Sequence, residues 1–228
     1  MKSRLPAATL KPQTTELKRV KLNLPNKLTL TRIILIPFFL AALHIQLFTL
    51  NAVACAVFYW IALGLFIVAA VTDYLDGSIA RKRNIVTNFG KLFDPLADKL
   101  LTMAAFVSFV EITGPNGRPI FPAWAIIIIL AREYLVTGLR SVAVSNGKVV
   151  QADNWGKQKT IWQLVGIITV LLSLAVSATL RVYHVNATAF NRAAPHIFQG
   201  ILAIVVVLTA VSGIIFLVKN WSVIVDKD

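Results

Sequence analysis

Residues 71–100 read VTDYLDGSIARKRNIVTNFGKLFDPLADKL, and four Asp fall within them. Asp73 and Asp76 are spaced i, i+3, while Asp94 and Asp98 are spaced i, i+4. On helices, each pair therefore occupies one face. A basic, polar segment separates the pairs, and a turn near Asn84–Thr87 would set Asp76 and Asp94 at similar depth. The two carboxylate faces would then converge on one box. Long apolar runs continue on both sides of this hairpin, so the carboxylates lie in helices that are otherwise greasy.

Working outward, six apolar stretches each approach the roughly 20 residues needed to cross a bilayer. They fall at about 28–50, 53–80, 90–112, 121–144, 158–180 and 196–219. Turn-forming segments join them, among them TGPNGRP before the fourth and SNGKVVQADNWG before the fifth. The chain has 228 residues, 57% of them hydrophobic and 14% charged, with mean hydropathy +0.73. Its 23 Lys+Arg against 10 Asp+Glu give a net charge of +13. In a soluble protein that balance would suggest nucleic acid, but so apolar a chain excludes a soluble nucleic-acid domain. Cys55 is the only cysteine, which excludes a disulfide framework and a thiolate metal cluster.

The fold expected is an all-α integral membrane protein of six transmembrane helices, preceded by an amphipathic juxtamembrane helix. Residues 1–24 read as a basic tail and surface helix, with Val20, Leu22 and Leu24 set among Lys18, Arg19 and Lys21 to rest on anionic lipid. They lack the apolar core and cleavage site of a secretory leader. Residues 25–228 form the membrane domain. With six spans, 18 Lys/Arg gather on the side of both termini and only Arg118, Arg181 and Arg192 on the other, with Lys99 and Arg132 inside spans. The positive-inside rule puts both termini and the acidic hairpin on the cytoplasmic side of a cell membrane.

Four clustered carboxylates near lipid cannot all stay ionised unaided, because burial and mutual repulsion raise their pKa values. Ion pairing with Arg81, Lys82, Lys91 and Lys99 would account for one or two of them. Two divalent cations would balance all four, and an all-oxygen set suits Mg²⁺, Mn²⁺ or Ca²⁺ rather than zinc. Gly77 and Ala80, just after Asp76, would let a helix or a charged ligand lie against the backbone. Gly64 and Gly166 read as packing glycines.

The spacing Asp73-x2-Asp76-Gly77-x2-Ala80-Arg81-x8-Gly90-x3-Asp94-x3-Asp98 resembles the signature of the CDP-alcohol phosphotransferases. That resemblance implies coupling of a CDP-linked lipid to an alcohol with release of CMP. It implies that Asp73, Asp76 and Asp94 ligate two divalent metals, Mg²⁺ or Mn²⁺. Asp98 would join the metal site and act as general base, and Gly77, Ala80 and Arg81 would contact the CDP group. A homodimer is implied as well.

The acceptor must be read elsewhere. Segment AREYLVTGLRSVAVSNGK places Arg132 and Arg140 eight residues apart, roughly on one helix face. An unpaired guanidinium within a span is expensive, and Glu133, about 100° away around the helix, is a poor partner for it. Arg132, Arg140 and Lys157 could together hold a phosphate, implying an acceptor such as glycerol 3-phosphate or inositol phosphate. The segments LPNKLTLTRIILIPFF, TNFGKLFDPLADKLL, AREYLVTGLR and ADNWGKQKT are similar to one bacterial branch of the family, the phosphatidylglycerophosphate synthases. That likeness implies CDP-diacylglycerol and glycerol 3-phosphate as substrates. It places Asn26, Thr29 and Arg32 at the border of the CDP-lipid site, although Asn26 equally reads as a helix cap and Arg32 as a snorkelling cation. Within the family, an inositol-phosphate transferase or a cardiolipin synthase is the alternative. From another class, a cation transporter would explain the Asp cluster and the spans but not Arg81 or the second basic pocket. His44, His184 and His196 have no partner at ligand spacing.

Overall fold

In lipid no water can pair with backbone N–H and C=O groups, so apolar segments of this length close their hydrogen bonds internally as helices. The computed structural model describes residues 24–83, 88–145 and 154–220, with side chains over 30–72, 99–143 and 155–220. The tail expected before residue 24 and the turn at 84–87 lie outside the described residues. Six α-helices are found among them: α1 (Leu24–Leu43), α2 (Ala52–Arg83), α3 (Asn88–Glu111), α4 (Ala123–Ser145), α5 (Asn154–Val182) and α6 (Thr188–Lys219). Three stretches are long and apolar enough to cross a membrane, namely Ala52–Thr72, Trp155–Val182 and Thr188–Lys219. Leu30–Leu43 is a shorter apolar helix, and α4 carries Arg132, Glu133 and Arg140 within its length.

The helices pack as a ring in the order α3, α1, α2, α5, α6, α4, with α4 returning to α3. Chain neighbours α2 and α3 meet only lightly, because α1 packs against both. Inside the ring Phe39, Phe66, Phe109 and Phe121 are fully buried. The Phe109 and Phe121 rings meet edge to face with centroids 5.6 Å apart, a favoured aromatic geometry. Buried Ala42, Ala62, Ala105, Ala125 and Ala175 let the backbones approach closely. On the outside, Ile34, Val57, Val68, Ile127, Val207 and Ile214 are exposed, as lipid-facing side chains are. Gly166 is a packing glycine as expected, since a Cβ there would stand 3.0 Å from Ile201 Cγ2. Gly64 is not: it faces open space, with nothing within 4 Å of an added Cβ, because its side of α2 turns away from the ring.

Local chemistry sets the helix ends. Asn51 caps α2, its Oδ1 accepting from Val53 N at 2.9 Å and Ala54 N at 3.3 Å. The first apolar stretch was expected to run to residue 50, but α1 stops at Leu43. There His44 turns inward, hydrogen-bonded to Ser108 at 2.9 Å with its Nδ1 3.9 Å from Glu111, which ties α1 to the end of α3. This is the carboxylate partner that linear spacing did not reveal. Gly117, at φ +73°, makes the tight α3–α4 turn that a side chain would strain. The sixth stretch was expected from residue 196, yet α6 begins at Thr188, eight residues earlier. The segment RVYHVNATAFNRAAP, expected as a turn-forming connection, supplies the first turns of α6, with Pro195 inside the helix.

Helix α5 ends in a Schellman motif. Val185 N donates to Leu180 O at 3.0 Å and His184 N to Arg181 O at 3.2 Å, with His184 in the left-handed region at φ 54°. That conformation costs a non-glycine residue about 1 kcal/mol. His184→Gly is therefore expected to raise the thermal unfolding midpoint of the detergent-solubilised protein, and a lower midpoint would show that the imidazole makes a compensating contact.

Candidate active site

The acidic pairs sit where the sequence places them along the chain: Asp73, Asp76, Gly77, Ala80 and Arg81 on the last third of α2, Asp94 and Asp98 on the first half of α3. The side chains of these seven residues, and of Asn26 and Thr29 on α1, lie outside the described ones. Among the described residues no group of three or more His, Cys, Asp or Glu converges as a metal site. The backbone alone does give one relation. Asp98 is followed directly by Lys99, and the Lys99 side chain is described.

Lys99 leaves α3 and reaches α4. Its ammonium donates to the Glu133 carbonyl at 3.3 Å and to the Thr137 hydroxyl, and stands 3.8 Å from Glu133 Oε2. Thr137 in turn donates to the Glu133 carbonyl at 2.7 Å. From α5, the Lys159 ammonium pairs with Glu133 Oε1. From α4 itself, Arg132 Nη1 lies 3.6 Å from the same oxygen. Glu133 thus gathers cations from three helices at a place where its own side chain is only 13% exposed. The expectation that Glu133 is a poor partner for Arg132 is corrected. The guanidinium stem is long enough to fold back across the 100° offset, and the carboxylate is held in place by two lysines from other helices.

Three cations, from α3, α4 and α5, thus converge on one carboxylate in a half-buried setting. Helix α6 shapes the other flank. A Cβ at Gly213 would lie 3.0 Å from Arg132 Cγ, so only glycine there leaves the arginine stem undisturbed. Three residues on, the Phe216 ring centre is 5.9 Å from the Arg140 guanidinium carbon, within cation–π reach. Arg132 and Arg140 therefore share the α6-facing side of α4, as their eight-residue spacing implies. Gly156, at the start of α5, also abuts Arg132, 3.9 Å from Nη2 for an added Cβ.

Lys157, expected beside the two arginines, is exposed at the start of α5. The inward lysine of this segment is Lys159, 3% exposed, which linear reading passed over. Its signal was present in the stripe Lys159, Gln163, Ile167, Leu171 and Ala175, every fourth residue and all buried. Extended backward, that stripe selects Lys159 and not Lys157. Arg32 is 3% exposed, so it lies within the bundle and does not snorkel to water.

Removing the Glu133 carboxylate takes a shared partner from Lys99, Arg132 and Lys159, and breaking such a buried arrangement costs about 3 kcal/mol. Glu133→Ala is expected to lower thermal stability markedly, and adding Lys159→Met should recover a good part of the loss. Strictly additive losses in the double-mutant cycle would show that the two side chains are not coupled.

Comparison with known proteins identifies the family. Residues 22–225 match the CDP-alcohol phosphatidyltransferase family. The chain is 39% identical to the CDP-diacylglycerol–glycerol-3-phosphate 3-phosphatidyltransferase of Bacillus subtilis (strain 168), over 88% of this chain and 96% of the relative. It is 37% identical to the protein of the same name from Rickettsia felis, over 68% of this chain and 77% of that one. The like-named Haemophilus influenzae protein is 33% identical over 65% of this chain and 75% of its own length. With its signature spacing, its helical bundle and this match across nearly its whole length, the chain belongs to the CDP-alcohol phosphatidyltransferase family.

Proposed function

We propose that this protein transfers the phosphatidyl group of CDP-diacylglycerol to glycerol 3-phosphate, giving phosphatidylglycerophosphate and CMP. The observation that carries the reading is the reach of Lys99, the chain neighbour of Asp98, to Glu133. It sets the acidic segment of α3 beside a cluster of cations, as a reaction between a nucleotide-activated lipid and a phosphorylated alcohol requires. The names of the relatives support the same pair of substrates. Family membership also argues against the cation-transporter reading of the Asp cluster.

In this account Asp73, Asp76, Asp94 and Asp98 hold two divalent cations, Mg²⁺ or Mn²⁺. The donor set fits them, being four carboxylates on two helices with no nitrogen or sulfur among them. Bound there, the cations supply neutralisation of the pyrophosphate charge. Gly77, Ala80 and Arg81 receive the CDP group, with Asn26, Thr29 and Arg32 at its lipid border. Arg132 and Arg140, with Lys157 at the open edge, hold the acceptor's phosphate and so orient its hydroxyl. Asp98 takes the proton of that hydroxyl as its oxygen bonds to the phosphorus bearing the diacylglycerol. The bond from that phosphorus to the bridging oxygen breaks, and CMP leaves.

The remaining helices complete six spans in one domain over residues 25–228, behind a basic segment at 1–24 that rests on anionic lipid. Both termini and the site face the cytoplasm of a bacterial cell, which the distribution of Lys and Arg supports. The protein works as a homodimer.

The test is CMP release by purified protein given CDP-diacylglycerol, a divalent metal and one acceptor at a time. Release with glycerol 3-phosphate, abolished by a chelator, is the expected result. Release with inositol, inositol phosphate or phosphatidylglycerol alone would overturn the acceptor assignment. Asp98→Asn should lower kcat by about 10³-fold, within the usual range for loss of a general base, while the protein remains folded.

A further inference from the structure

At the opposite end of the bundle from the acidic pairs lies a second polar site that the reaction does not use. A cavity of about 270 Å³ opens there between the α1–α2 connection and the end of α5. Gln46, Thr49, Tyr59, Ser173, Ser177 and Arg181 line it, and neither Asp nor Glu does. Tyr59 and Asp73 are 14 residues apart on α2, so about 21 Å of helix separates this cavity from the first acidic pair. Several of its polar groups are already organised. The Tyr59 hydroxyl donates to Gln46 Oε1 at 2.9 Å, and Ser177 bonds to Asn191 of α6 at 3.2 Å. Among the described residues no carboxylate pairs with Arg181.

A second, almost wholly apolar cavity of about 200 Å³ runs between α5 and α6. Leu172 and Val176 of α5 form one wall, with Phe190, Ala193 and Ile197 of α6 opposite. These residues recur at helical spacing, so each wall is one continuous helix face. Ser173 and Phe198 line both cavities, so the two lie side by side and share a wall. The polar cavity also opens beside apolar surface that water would not wet: Leu50, on its rim, is 98% exposed, and nearby Phe48 is 77% exposed. A ligand entering there passes apolar side chains.

A cationic, hydroxyl-rich pocket set against a greasy groove suits a phospholipid, one side for a charged headgroup and the other for an acyl chain. We propose that this end of the bundle binds one anionic phospholipid, its phosphodiester at Arg181 and an acyl chain in the α5–α6 groove. The charge selects an anionic lipid over a zwitterionic one, because a choline or ethanolamine headgroup would bring its own cation beside Arg181. The groove selects a lipid over a free phosphate. The site is independent of the chemistry at the other end.

Native mass spectrometry of the full-length protein, exchanged into detergent with phosphatidylglycerol or phosphatidylcholine, tests this. The wild type is expected to retain phosphatidylglycerol at least fivefold over phosphatidylcholine. Arg181→Gln should lose that preference, and Ala193→Trp, which fills the groove, should lower retention about as much with Arg181 intact. Arg118→Gln, which removes a cation from the same end but lines neither cavity, should change nothing. Wild-type CMP release by Arg181→Gln and Ala193→Trp would show that both fold. Equal retention of the two lipids, or an unchanged preference in Arg181→Gln, would overturn the proposal. So would displacement by millimolar inorganic phosphate in a protein indifferent to Ala193→Trp, since the site would then take a free anion.

Discussion

The Glu133 carboxylate is the interaction on which the working end of this bundle depends. Taken singly, Lys99, Arg132 and Lys159 are cations in a half-buried, apolar setting, each expensive to place. Gathered on one carboxylate they become a framework that joins α3, α4 and α5. That framework fixes the place of Arg132, the residue proposed to meet the acceptor's phosphate.

The rest of the architecture protects that arrangement. Helix α6 gives up a side chain at Gly213 so that the Arg132 stem can pass, and supplies the Phe216 face to Arg140. Helix α1 packs against both acid-bearing helices, α2 and α3. The buried phenylalanines and alanines fill the ring elsewhere. A different polar character is built at the far end, where hydroxyls and Arg181 line a cavity without acidic groups.

Much of this was legible from residue order. Hydropathy alone located all six helices, since apolar runs near 20 residues have few other ways to fold. Where it erred, at the ends of α1 and α6, the cause was a contact or a context that hydropathy does not carry. His44 ends α1 through partners more than 60 residues away, and Pro195 sits inside α6 although its segment was expected as a connection. The Asp spacing was legible because a signature is local. Glu133 was not, because its partners come from three helices and no linear distance relates them. Lys159 lay between these cases: its stripe was visible along α5, but Lys157 sits nearer the start of the segment and was the easier choice.

The central claim is that Arg132 and Arg140 serve the acceptor's phosphate while the acidic hairpin serves the nucleotide-linked lipid. Steady-state kinetics of Arg132→Gln, with each substrate varied in turn, tests this division most directly. The account predicts a KM for glycerol 3-phosphate raised about tenfold or more, as expected for loss of a charge-assisted hydrogen bond, with the KM for CDP-diacylglycerol little changed. A variant whose KM rose for CDP-diacylglycerol instead, or for neither substrate, would contradict it.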